Sequence, residues 1–338
     1  MGFTNFPNGI SSFGVPIIGG GGLFPGITQG NNYFVKPSSG SDSNSGKSPA
    51  KALKTLSRAH TLATANQNDV VFLFAEHGVT AANTTDYQSE TLTWSKNMVH
   101  LVGIGAPVNV SNRARIAFLS TYDTASNLFT LSANGCFIHN ISMFAGVAGT
   151  NPTGCLSVTG DRNVFSNSHI AGIGNNANDI AGAYSLQLSG ADENRFIGCT
   201  IGLDTIARGT GANSEILFGS GATRNKFEDC DIITYAEAAT HVFVIAPASS
   251  VDRWTIFKQC RFINMPTGVA SGTTMTAAMT WTAGGSPVGL ALLHDCMLIG
   301  ATDWTAADNS KVFLYGPNPG DASGAKLNTG LAHTVDIA

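Results

Sequence analysis

Charge is what this chain has least of. Asp, Glu, Lys and Arg make up 12% of its 338 residues, about half of the roughly 25% found in an ordinary soluble domain. A coiled coil or helical bundle needs those residues, and Leu, in quantity, so both are excluded. A net charge of −4 with only 18 basic residues leaves no basic footprint for nucleic acid. No stretch approaches about 18 consecutive apolar residues, so no membrane span is expected. Disorder is excluded too, because hydrophobic residues reach 43% and net charge is small. The six cysteines include no C-x-x-C, which leaves a disulfide scaffold and a zinc site without support. The first residues lack the basic and apolar regions of a secretory leader, and Phe6 stands where a myristoylation signal needs Ser or Thr.

What is abundant is glycine, at 39 residues, together with asparagine. In a turn-rich chain of this kind, internal repetition is the informative signal. The segments NVFSNSHI (163–170), NRFIGCTI (194–201) and NKFEDCDI (225–232) align without gaps. TIFKQCRF (255–262) and ALLHDCML (291–298) fit more loosely, and CFIHNISM (136–143) is a degenerate earlier copy. One column reads Phe165, Phe196, Phe227 and Phe257, at intervals of 31, 31 and 30 residues, and continues as Leu293. A second reads Ser168, Cys199, Cys230, Cys260 and Cys296; a third reads Ile170, Ile201, Ile232, Phe262 and Leu298.

Each unit is short, β-prone and apolar at alternate positions, so it reads as a strand. Alone it cannot bury its apolar side. Equivalent strands stacked at about 4.8 Å can, and they bring like residues into ladders. The leading Asn suits a corner that needs left-handed backbone or a local side-chain bond. A period above 30 residues holds two or three strands plus loops, as in a right-handed single-stranded parallel β-helix. A propeller is disfavoured, because regular Asn-Gly or Asp-Gly hairpin turns are missing. The cysteine column is then an interior ladder of small apolar groups, since side chains pointing the same way suit disulfide geometry poorly.

Residues 33–63 form the entry. Tyr33–Lys36 is strand-like, Ser48-Pro49 is a helix start with Ser at the N-cap, and Ala52, Leu56, Ala59 and Ala63 make one helical face. The apolar strand NDVVFLFAEHG (68–78) follows. The run VKPSSGSDSNSGKSPAKALKTLSRA with VVFLFAEHG resembles the entry of pectate-lyase-like right-handed parallel β-helix proteins. In them a strand and a G-S-D-x-N-x-G loop precede a short capping helix and the first rung. NMVHLVGIG (97–105) and LFTLSANGCFIHNISM (128–143) look like rungs of that family. The resemblance covers about residues 31–300 and implies a fold. It does not choose a function, because the family includes lyases, hydrolases, epimerases, phage tailspikes and inert virion proteins.

Candidates for chemistry are few. Asp161 and Asp192 share a template position, and Glu193 adds a carboxylate. They are the weak catalytic or calcium candidates if the chain is an enzyme, with corner residues bonding local backbone as the plainer reading. The column His169, Thr200, Asp231, Arg261 and Met297 looks outward and reads as a solvated face. The histidines show no metal-ligand spacing, and G-x-S-x-G and P-loop motifs are missing. No catalytic residue, metal or cofactor is therefore assigned.

Residues 1–30 are a Gly-rich arm without a single charge, carrying Phe3, Phe6, Phe13, Val15, Ile17, Ile18, Leu23, Phe24 and Ile27. Such a segment forms no core of its own and is expected to lie extended on a partner. The expected organisation is arm 1–30, strand with capping helix and first rung 31–96, rungs 97–300, and strand-and-loop end 301–338. Residues 266–290, with Met275, Met279 and Trp281, read as a protruding loop or subunit contact. The arm followed by a β-helix resembles structural virion proteins of tailed bacteriophages: a capsid decoration (cement) or head-spike protein, trimeric by analogy. Its arm would hold the major capsid protein or other virion subunits after assembly in the host cytoplasm. The alternative is a tailspike-like protein that binds or cleaves a host surface glycan. Neither nucleic acid nor membrane is an expected partner.

Overall fold

The computed structural model describes residues 30–75, 85–88, 90–120, 124, 126–149, 151, 153–210, 212–265, 272–282, 289–305 and 311–315, and the backbone at 10–12, 15–18 and 333–334. Its body is a parallel β-solenoid. Successive strands go in turn to a first sheet of eleven strands and to second and third sheets of eight, every third strand being a hydrogen-bonded neighbour. Pairing in these sheets is parallel, except that His333–Thr334 joins the end of the first sheet antiparallel to Val312–Tyr315. Phe165 lies on Phe196, Phe196 on Phe227, Phe227 on Phe257 and Phe257 on Leu293. The four Phe rings stack at 4.6, 4.7 and 4.8 Å with interplanar angles of 5°, 8° and 11°. Ile170, Ile201, Ile232, Phe262 and Leu298 form the matching column of the second sheet. Both columns are buried, and the cysteines lie between them in the same core.

From Phe137–His139 onward the bend from first to second sheet takes two residues. In these six coils the first of the two is left-handed: Asn140, Asn167, Gly198, Asp229, Gln259 and Asp295 have φ between 47° and 57°. The template Asn is not the left-handed residue; that role falls to its predecessor, Arg162, Glu193 or Arg224. The Asn side chain bonds instead, and to the neighbouring coils. Asn163 Oδ1 accepts the Cys136 amide at 2.7 Å, Asn194 Oδ1 the Asn163 amide at 2.9 Å, and Asn225 Oδ1 the Asn194 amide at 2.9 Å. Their Nδ2 groups donate to the carbonyls of Ala133, Gly160 and Ala191 at 2.9, 3.0 and 2.7 Å. Each buried amide thus satisfies one donor and one acceptor that the bend takes out of the sheets.

The N-terminal end is closed by a helix, but a shorter one than Ser48-Pro49 suggests. Pro49–Lys51 forms only a 3-10 turn, and the α-helix runs Leu56–Leu62 behind a Thr55 cap. The break has a cause in pairing. Leu53 bridges Val35, its amide bonding Phe34 O and its carbonyl receiving the Lys36 amide. The preceding loop fixes the helix. Asp42 accepts the amides of Lys54 and Thr55 at 2.9 and 3.0 Å, and Asp86 that of Leu56 at 3.0 Å. Asn44 Nδ2 donates to Ala52 O at 2.8 Å, and Gly46 has φ 71°. Gly40 packs so closely that a Cβ would lie 2.1 Å from Leu53 O. At the other helix end Lys96 Nζ donates to the carbonyls of His60, Thr61 and Ala63 at 2.7, 2.8 and 2.6 Å. Acid at the start and base at the end suit the helix dipole. Leu56 and Ala59 thereby seal the core.

The 266–290 segment departs from the sequence expectation. Met275–Trp281 is a strand of the third sheet, and Met275, Met279 and Trp281 are fully buried. Alternate apolar positions there fill the core rather than a subunit contact; residues 266–271 and 283–288 lie outside the described set. Among the described residues no helix is long and apolar enough to cross a membrane.

Replacing Asn194 with Ala strands the Asn163 amide and the Gly160 carbonyl in the interior. Urea denaturation is expected to show a loss of about 2–4 kcal/mol, from two buried groups at roughly 1–3 kcal/mol each. Asp229→Gly, at an exposed left-handed position, is expected to change stability by less than about 1 kcal/mol.

Candidate functional site

The corner between third and first sheets gathers the carboxylates singled out from sequence. Asn97, Asn134, Asp161 and Asp192 stand one coil apart, a step of roughly 4.8 Å. Each accepts a backbone amide of the next coil through a side-chain oxygen: Asn134 N at 2.9 Å, Asp161 N at 2.7 Å, Asp192 N at 2.9 Å and Thr223 N at 3.1 Å. Burial, then the neighbouring Asp161 charge, holds the Asp192 carboxyl above its ordinary range; Glu193 and Asp252 push the same way, and the Thr223 amide opposes them. Glu193 is clasped by Arg162 Nε at 2.8 Å and Arg224 Nη1 at 3.1 Å, one coil to either side.

Asp161 and Asp192 are therefore neighbours one coil apart, with Glu193 next in the chain. A carboxyl whose pKa is raised beside a second carboxyl is material for acid–base work. A glycosidase pair, however, flanks the scissile bond from opposite sides. Here the two aspartates point the same way along one corner, and each has an oxygen engaged in fastening coils. The geometry is that of a polar seam with free carboxylate oxygens along its outer edge.

A second polar cluster escaped the sequence reading. Glu215 Oε1 and Oε2 receive Arg208 Nη2 at 3.1 and 3.2 Å, and Thr234 Oγ1 donates to Oε1 at 3.0 Å. Ser185 Oγ donates to Oε2, and His241 Nε2 meets Thr234 Oγ1 at 3.1 Å. Glycines make the room: a Cβ on Gly202 would lie 2.7 Å from Glu215 Oε2, and one on Gly172 1.8 Å from Ser185 Oγ. All five polar residues are at most 1% exposed, so no substrate reaches them; the cluster fastens the second sheet to the third. Burial, then the Arg208 charge, lowers the His241 pKa to about 3. The available signal was a lone acid in an apolar strand, SEILF, at the register of Ser185.

The presumed solvated column of the second sheet is covered in part. The segment 105–112 crosses it: His169 Nδ1 accepts the Ser111 amide at 2.9 Å, and Thr200 Oγ1 donates to Asn109 Oδ1 at 2.7 Å. His169, Thr200 and Asp231 are buried, and of this column Met297 alone is exposed. Burial lifts the Cys136 thiol to about 11 and the Cys155 thiol to about 12. Among the described residues no group of three or more His, Cys, Asp or Glu is placed to hold a metal. Of the predicted anchoring residues, Phe3, Phe6, Phe13, Leu23 and Phe24 lie outside the described set. Val15, Ile17 and Ile18 are described in backbone alone. They form the strand Val15–Ile18, paired antiparallel with Ile10–Ser12 in a sheet of its own.

No family model matches the sequence, and no curated protein matches it. Solved structures do match in shape. A pectate lyase aligns with TM-score 0.57 and 14% identity, over 90% of this chain and 74% of its own. The pectin methylesterase from Aspergillus niger, in deglycosylated form, aligns with TM-score 0.55 and 17% identity, over 90% and 92%. A rhamnogalacturonan lyase aligns with TM-score 0.50 and 14% identity, over 80% and 68%. At these identities the likeness establishes the pectate-lyase-like parallel β-helix fold.

Removing one partner of a buried ion pair leaves the other charge stranded. Glu215→Ala is therefore expected to cost about 3–5 kcal/mol, and the Arg208→Met, Glu215→Leu double substitution much less, as read by urea denaturation. Burial also lowers the pKa of His60, His100 and His169 to about 4. These imidazoles and His241 are neutral when folded and gain protons near pH 6.5 when unfolded. The stability they confer is complete above pH 6.5 and is lost as pH falls toward 4. Asp86, raised by burial to about 6, and Asp192, also raised, work in the opposite sense but are outnumbered by the four histidines. Melting temperature is expected to drop between pH 6.5 and 4, and less steeply in His169→Gln.

Proposed function

We propose that this chain is a structural subunit of a tailed-bacteriophage particle, a capsid decoration or head-spike protein held through residues 1–30. The carrying observation is that the solenoid closes its own N-terminal end with helix Leu56–Leu62, fastened by Asp42, Asp86 and Lys96. The uncharged, apolar arm precedes that closure in the chain and would serve a partner such as the major capsid protein. The paired strands Ile10–Ser12 and Val15–Ile18 join none of the three long sheets among the described residues, which supports an arm with its own attachment. The polar seam at Asp161, Asp192 and Glu193 then serves to hold a projecting rod together. Deletion of residues 1–30 is expected to leave the unfolding transition of the body unchanged and to abolish co-sedimentation with phage capsids. Undiminished capsid binding by the truncated chain would sink this reading.

A second reading rests on the half-buried carboxylates of Asp161 and Asp192. Proteins of the same fold are named for action on pectin and rhamnogalacturonan, which supports binding or cleavage of a host surface polysaccharide. Release of reducing ends from host glycan, lost in Asp192→Asn, is the outcome expected from this second reading and not from the first.

A further inference from the structure

Segment 105–112 leaves the first sheet after Ile104 and runs along the solenoid before the chain enters strand Arg115–Phe118 of the second sheet. Its reach is long. Asn112 Nδ2 donates to Asn140 Oδ1 at 2.7 Å and to Asn167 O at 2.8 Å, Ser111 meets His169, and Asn109 meets Thr200. Arg115, Ser142, His169 and Thr200 are successive members of one column. The segment therefore straps its own coil to the coils of Ser142, His169 and Thr200. Among the described residues, 106–112 make no hydrogen bond from backbone to backbone. Side chains hold the strap, and of those named only His169 can change its charge.

Two bonds fix the state of that imidazole. Nδ1 accepts the Ser111 amide at 2.9 Å, and Nε2 lies 3.1 Å from Gly202 O. An amide N–H only donates and a carbonyl only accepts, which assigns the proton to Nε2 and leaves Nδ1 bare. A second proton belongs on Nδ1, the atom that Ser111 occupies, so protonation and the strap's bond exclude each other. Ser111 itself has φ 58°, a left-handed conformation unfavourable to a residue with a Cβ, so local backbone preference favours release. His100 likewise accepts the Phe137 amide at 3.0 Å, but Phe137–His139 stays paired to a strand on either side. The donor to His169 lies in a segment that no sheet holds.

We propose that segment 105–112 is an acid-released strap with His169 as its pin: a proton taken up at Nδ1 detaches Ser111 and frees the strap from the second sheet. The charges around the pin are few. Asp204, on the following coil, favours the proton, and Arg115, which lies over the Phe144 ring at 4.2 Å, opposes it. The strap brings no charge before Arg113, and Asp231 is engaged by Arg261. Burial above all holds the imidazole of the closed form at about 4, whereas a released one titrates near 6.5. The proton thus favours the open form, and the ratio of open to closed rises as pH falls from 6.5 to 4, by up to about 300-fold. The inference concerns the body alone and is independent of the virion reading.

The test is hydrogen exchange of the full-length chain, read by mass spectrometry on a peptide spanning 105–114 and corrected for the intrinsic pH dependence of exchange. Between pH 7 and pH 4.5 its protection is expected to fall about 80-fold, while strand Ser214–Phe218 keeps its own. His169→Gln, which does not titrate, is expected to abolish the pH dependence. His169→Phe, a ring without an acceptor, is expected to leave the strap unprotected already at pH 7. Nitrogen-15 NMR of the histidine-labelled wild type needs no variant: it is expected to show the Nε2-protonated tautomer at pH 7 and protonation of Nδ1 in step with loss of protection. Equal protection at both pH values overturns the proposal, as does a loss shared by Ser214–Phe218, a pH dependence that persists in His169→Gln, or a proton on Nδ1 at pH 7.

Discussion

Along the paired strands of the body, side chains lie beneath their counterparts in the next coil, about 4.8 Å away, and the rest follows from that repetition. A ladder multiplies whatever it contains. Four phenylalanines gain by it, because parallel rings fit that spacing. Unpaired like charges would lose at every step. The chain meets this by keeping charge scarce and, around two of its acids, by setting bases beside them; Asp161 and Asp192, stacked like charges, are each tied to a backbone amide. Glu193 sits between Arg162 and Arg224, and Glu228 is paired with Arg195 and Lys226. The low charge content and the fold are thus two views of one electrostatic constraint.

The same repetition governs hydrogen bonding. Straight segments satisfy their backbone within the sheets, but bends cannot. The buried amides of Asn163, Asn194 and Asn225 and the seam through Asn134, Asp161 and Asp192 take over there, each reaching to a neighbouring coil. Carboxylates in such a seam resemble a catalytic pair in sequence because both uses need acids at a fixed interval. Geometry separates them, since a fastening row points one way and a cleaving pair faces itself across a substrate.

The parts of the fold legible in the sequence were those that recur. Phe165, Phe196 and Phe227 at intervals of 31 residues announced both strand and stack, and G-S-D-S-N-S-G announced the cap. Features that occur once were harder. Helix Leu56–Leu62 starts late because Leu53 is needed as a bridge to Val35, a pairing without a local signature. Met275–Trp281 was hidden by its irregular spacing from neighbouring coils. The Arg208–Glu215–His241 cluster joins residues that no motif links, and only the oddity of an acid inside SEILF hinted at it. For the site, the shared template position of Asp161 and Asp192 reflects their stacking one coil apart, but their direction depends on corner geometry that composition does not encode.

The cap and the repeats divide labour in a way that bears on size. Asp42, Asp86 and Lys96 fasten only the first turn of the structure. From Asn163 to Phe262 each coil meets a near copy of itself above and below. A coil equivalent to residues 194–224 inserted into that stretch would find the same Phe column, the same Asn ladder and the same left-handed bends waiting for it. Reach is therefore adjustable in increments of about 4.8 Å without redesign of either end. A gene encoding such a rod can change its length by simple duplication.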